Sequence, residues 1–81
     1  MDKKVMSRFP LLVSQKEVRE QRMHRYSQKE IAQQTGVSES VVSRWMTGKG
    51  FEGTSIEVAG RLARWVGVSI EELTQTVDET G

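Results

Sequence analysis

The sequence predicts an all-α domain of five short helices, and three observations carry that prediction. Apolar residues recur at helical spacing, and no segment has the alternation of a strand. Ser27 with Glu30, Thr54 with Glu57 and Ser69 with Glu72 each set a hydroxyl three residues before a carboxylate, the pattern of a reciprocal box at a helix start. Gly36, Gly48 and Gly67 fall where three of these helices must stop, because glycine takes the left-handed backbone without a side-chain clash. With 81 residues the chain is expected to make one compact domain, without a separate ligand-sensing one. It has no cysteine, so packing alone must hold the fold.

Residues 1–9 are polar, basic and without helical period, and read as a flexible N-terminal arm. Residues 10–75 form the folded domain, and 76–81 read as a disordered acidic tail. Pro10 opens the first helix, where its fixed φ is tolerated. That helix runs from Leu11 to about His24, with Leu12, Val18 and Met23 as a weak apolar stripe and Tyr26 just beyond it. It is the least sharply written of the five.

The second and third helices are written most sharply. Ser27 caps a helix over 28–35, Gly36 ends it, and Ser38 caps another over 39–47, which Gly48 ends. So short a connection forces the two to cross. Ala32 has almost no side chain and lets them approach, while Ile31, Val37, Val42 and Trp45 supply the apolar faces that meet. Ser38, Glu39, Ser40, Ser43, Arg44 and Thr47 are left on the outside.

Residues 49–53 form a glycine-rich loop whose Phe51 tucks against the core. Thr54 then caps a fourth helix with Ile56, Ala59, Leu62, Ala63 and Val66 on one face. Ser69 opens a short fifth, packed through Ile70 and Leu73.

The net charge is only +1, yet its distribution is uneven: +4 over residues 1–26, +1 over 27–50 and −4 over 51–81. Such a dipolar module can turn its basic side to phosphate and its acidic end to solvent or to a protein partner. The longest apolar run near the N-terminus is Leu11 to Val13, flanked by charge, which excludes a membrane span there and argues against a signal peptide. The expected location is the cytoplasm, at the nucleoid. His24 has no second histidine and no cysteine beside it in composition, so neither a metal nor a cofactor is expected. No nucleophile, base and orienting group come together, so the chain is not expected to be an enzyme, and no catalytic residue is assigned.

SQKEIAQQTGVSESVVSRWMTGK, followed by SIEVAGRLARWVGVSIEEL, resembles the Cro and lambda repressor type of helix-turn-helix proteins over residues 18–73. The resemblance implies a five-helix, lambda-repressor-like fold that binds double-stranded DNA. It also implies that Gln28 contacts a phosphate at a helix N-terminus, and that Ser38, Glu39, Ser40, Ser43 and Arg44, with Thr47 on the same outer face, lie toward the major groove. Lys49 then lies by the backbone. The chain departs from the pattern in three places. It reaches the SQ motif through Arg25 and Tyr26 without the usual glycine, it has a longer loop over 50–54, and Ala59 and Gly60 replace bulky aliphatics.

Several residues admit two roles. Arg44 either bonds a guanine edge or braces a phosphate or an acidic neighbour, and Glu39 either accepts from cytosine or only favours the positive end of its helix. Lys3 and Lys4 in the arm can follow the DNA backbone, releasing counterions. Arg22 and Arg25, spaced three apart with Arg19, either flank the groove or make a solvated helix face. Trp65, Ile70 and Leu73 are candidates for a homodimer contact, or else cap the edge of the monomer core. The function expected is a sequence-specific regulator, a repressor acting as a homodimer on a two-fold-related operator. The alternatives are an antitoxin-type module that binds a protein through its acidic C-terminal region and autoregulates its operon, and an architectural DNA binder without sequence preference.

Overall fold

A computed structural model of the chain describes residues 3–50 and 53–78, with side chains over 5–50 and 53–75. Its elements are β1 (Lys3–Ser7), α1 (Phe9–Arg19), α2 (Gln28–Thr35), α3 (Glu39–Met46), α4 (Ile56–Val66), a 3-10 turn (Ile70–Leu73) and β2 (Thr74–Asp78). Among the described residues the fold is mainly helical, with four α-helices and the 3-10 turn where five helices were expected. Among the described residues no helix is long and apolar enough to cross a membrane.

The all-α expectation needs one correction. β1 and β2 pair antiparallel, with Val5 opposite Thr76 and Ser7 opposite Thr74. Residues 3–7, expected as a flexible arm, and 74–78, partly expected as a frayed tail, therefore join the two ends of the chain. The backbone explains the anchorage: Arg8 N–H donates to Leu73 O at 2.6 Å, and Ser7 N–H reaches Gly48 O at 3.4 Å. Val5, Thr74, Thr76 and Val77 are β-branched and suit a pleated strand. A pairing between distant segments leaves no periodic mark in either five-residue stretch. Lys3 and Lys4 lie in β1 by backbone, while their side chains, like Phe51 and residues 79–81, lie outside the described residues.

α1 begins one residue before Pro10 and is shorter than the expected helix to His24. Phe9, assigned to the arm, is fully buried, and its N–H donates to Ser7 Oγ at 3.1 Å. Phe9, Leu12 and Val13 form the buried face of α1, whereas Val18 is 76 % exposed and Met23 92 % exposed, so the stripe expected through them does not form. The chain leaves the helix at Glu20, and Gln21 takes φ +55°. Glu17 draws the chain back by accepting the Tyr26 N–H at 2.7 Å, and the Tyr26 hydroxyl donates to Glu20. Arg22 and Arg25 thus lie beyond α1 and do not continue a stripe from Arg19, which instead donates to Val66 O at 3.2 Å.

α2 and α3 form where expected. The Ser27 hydroxyl accepts the Glu30 N–H and the Glu30 carboxylate accepts the Ser27 N–H, completing the capping box. Gly36 ends α2 at φ +73°. The other two boxes differ. Ser55, not Thr54, caps α4 by accepting the Val58 N–H at 3.2 Å, because the Thr54 hydroxyl is taken by the Trp45 indole N–H at 3.1 Å. The Ser69 hydroxyl turns to the Glu72 carboxylate rather than to a backbone N–H, and the segment closes as a 3-10 turn instead of a fifth α-helix.

The core gathers Phe9, Leu12 and Val13 of α1, Ile31 of α2, Val37 of the turn, Val42 and Trp45 of α3, Ala59, Leu62, Ala63 and Val66 of α4, and Leu73. Phe9 meets the Trp45 ring edge-on, with centroids 6.4 Å apart. Ile56, expected on the buried face of α4, is 75 % exposed at its first turn. The effect of this packing is to fix α3 from beneath, through two fully buried residues on one side only.

Candidate nucleic-acid interface

α3 is buried along Val42 and Trp45 and open on its other side, where Glu39, Ser40 and Thr47 are exposed together with its cap Ser38. Ser43 and Arg44 are half-buried at the edge of that surface. The Ser38 hydroxyl accepts the Val41 N–H at 3.4 Å and lies 3.3 Å from the Ser40 hydroxyl, so small polar groups cluster at the positive end of α3. Thr47 is less free than its exposure suggests, since its hydroxyl donates to Arg44 O at 3.1 Å. Lys49 is exposed just past the helix, its N–H bonded to Arg44 O at 3.0 Å.

α2 presents its own N-terminus, with Gln28 exposed in the first turn. This end is braced from outside the motif. The Arg22 guanidinium stacks 3.6 Å over the Tyr26 ring, donates to His24 O at 3.1 Å and donates to Glu30 Oε2 at 3.2 Å. The Ser27 N–H, and then Arg22, hold the Glu30 carboxyl below the usual glutamate range. Glu20 is likewise lowered, first by the Tyr26 hydroxyl and then by the Lys16 ammonium at 2.9 Å. Arg25 is exposed on the same loop. At the other end of α2, Arg61 of α4 donates to Gly36 O at 3.3 Å and so holds the turn between the two helices.

Arg44 is not simply extended into solvent. Its guanidinium lies against Gly53, close enough that a Cβ built on that glycine would stand 2.6 Å from Nη2 and 2.8 Å from Cζ. The length of the loop over 50–54 was visible in the sequence, but the closeness of Gly53 to Arg44 had no sequence signal. The bracing by Arg22 had a partial one, in its spacing to the capping box.

The residues considered for a dimer contact are largely spent within the chain. Leu73 is fully buried in the core, which removes it as an exposed contact, and Ile70 is half-buried against that core. Trp65 donates its indole N–H to Gln34 Oε1 at 2.9 Å, meets the Tyr26 ring edge-on at 4.8 Å and carries the Lys16 ammonium over its face at 4.8 Å. Trp65, half-buried, is thus held on three sides by its own chain. Among the described residues no group of three or more histidine, cysteine or acidic side chains could hold a metal ion.

A family model described as helix-turn-helix matches residues 15–73, from the middle of α1 through the 3-10 turn. No curated protein and no solved structure matches the chain.

Proposed function

Because the chain belongs to the helix-turn-helix family of the Cro and lambda repressor type, it is a DNA-binding regulator of transcription and not an enzyme, and we propose that it reads a specific duplex sequence through α3 in the major groove. The observation that carries this reading is the one-sided burial of α3. Val42 and Trp45 fix it from beneath, while Ser38, Glu39, Ser40 and Thr47 stay exposed, so a polar helix edge is offered on a rigid support. Such an edge suits the major groove, which admits one α-helix.

The side chains divide by what they can do. Ser40 and Ser43 are short and permit close approach to base edges. Gln28 at the N-terminus of α2, with Lys49 after α3, supplies phosphate contacts that set register without reading sequence. Arg22 and Arg25 add positive charge beside the N-terminus of α2. Arg44 is the basic residue within α3 and the candidate for a base or phosphate contact that depends on sequence.

The active form is a homodimer that represses by occupying a two-fold-related operator. One α3 of eight residues reaches few base pairs, and two copies about 34 Å apart along the duplex double the readout. Selection of bound duplexes from a random pool, followed by footprinting, tests the whole reading. The expected result is a pair of related half-sites one helical turn apart. Recovery of duplexes with no common sequence would overturn it.

A further inference from the structure

We propose that Gly53, which lies outside the two helices of the motif, is a specificity-determining position because its bare backbone is the bed on which the Arg44 guanidinium rests. This inference builds on the reading of α3 as the element that meets DNA. A methyl group at position 53 would stand 2.6 Å from Nη2 and 2.8 Å from Cζ of Arg44, closer than real side chains approach. Gly53 also takes φ +70°, a conformation that glycine holds at no steric cost. Two independent features thus favour glycine at this point, and one of them concerns only Arg44.

The consequence is directional. The guanidinium is the far end of a flexible side chain, so an added methyl displaces the head of Arg44 rather than the helix that carries it. Arg44 is half-buried at the edge of α3, and its backbone carbonyl already accepts the Lys49 N–H at 3.0 Å and the Thr47 hydroxyl at 3.1 Å. Its main chain is therefore fixed and its side chain is the movable part. With glycine at 53 the guanidinium lies against the backbone at that position. With any side chain at 53 it is turned off that bed and presented elsewhere along α3. A loop position outside α3 then decides which atoms of the duplex Arg44 can reach.

Two measurements on the full chain test this. The first uses no DNA: the Arg44 side-chain Nε–H resonance is compared between the wild type and Gly53→Ala. A clear shift is expected, and an unchanged resonance would overturn the proposal. Should the alanine variant fail to fold, Gly53→Asn serves instead, since asparagine tolerates the left-handed backbone. The second selects duplexes from a random pool with the wild type, Gly53→Ala, Arg44→Ala and the double variant. Gly53→Ala is expected to change preference at the base pairs that Arg44→Ala changes, with discrimination there altered on the order of tenfold, and to add nothing in the Arg44→Ala background. A preference identical to wild type, or an equal change in both backgrounds, would contradict it. If the wild type selects no common sequence, the reading of α3 fails, while the resonance still decides whether Gly53 directs Arg44.

Discussion

Arg22 donates to Glu30 Oε2 at 3.2 Å, so a residue of the loop before α2 closes on the carboxylate that caps that helix. The same carboxylate accepts the Ser27 N–H at 3.1 Å, and both contacts favour its charged form. Arg22 thereby couples the turn over 20–27 to the helix end that carries Gln28. An exposed pair of this kind adds little stability by itself. Its effect is to hold one geometry at a helix N-terminus.

Glu30→Gln separates charge from capping, because glutamine can still reach back to the cap. The folded-state value of Glu30 is lowered, so its contribution is present above the ordinary glutamate range and fades as the pH falls through the folded-state value. Thermal melting at a series of pH values is expected to show the wild type ahead of Glu30→Gln at neutral pH. The gap should close as the solution is acidified below the ordinary glutamate range. A gap that stayed constant with pH would assign the effect to shape alone.

Phe9→Ala should be among the most damaging single changes. Phe9 is fully buried against the Trp45 ring and lies 6.3 Å from that of Trp65, and emptying such a site costs about 3–5 kcal/mol. That is a large share of the roughly 5–15 kcal/mol that holds a small domain together. Leu11→Ala, two residues on and exposed, should change stability by less than about 1 kcal/mol. Urea midpoints of the two variants give the comparison. Equal losses would mean that Phe9 is not part of the core.

Lys49→Ala and Arg44→Ala should weaken DNA binding in different ways. Loss of a phosphate contact lowers affinity evenly across sequences and reduces the slope of log affinity against log salt by about 1. Lys49→Ala should behave so, with its sequence preference unchanged. Arg44→Ala should lower affinity for the preferred duplex more than for others, with a melting temperature close to wild type. Matching losses on all duplexes would make Arg44 a phosphate contact instead.

The pair α2 and α3 was legible because every signal that shapes it is local. Ser27, Glu30, Gly36 and Ser38 act within a few residues of their own positions, and the structure keeps both helices within a residue of the expected bounds. The strand pair was not legible, because it joins Val5 to Thr76, two residues far apart in the sequence, and no local signal in either stretch names its partner. α1 is shorter than its periodicity suggests for a related reason. Its end depends on Tyr26 folding back to Glu17 and Glu20, a contact across several residues that competes with helical continuation. At the candidate site, the outer face of α3 followed from period alone, while the place of Arg44 beside Gly53 is a contact made outside the helix, which helical period does not report.

The most direct test of α3 as a reading head is an equilibrium competition. A duplex selected by the wild type is bound, and an unrelated duplex of equal length is added at low and at moderately raised salt. A preference for the selected duplex of at least about a thousandfold is expected to survive the rise in salt and to shrink in Arg44→Ala. Equal displacement by the unrelated duplex, with all binding lost as salt rises, would contradict it and leave a purely electrostatic contact with the DNA backbone.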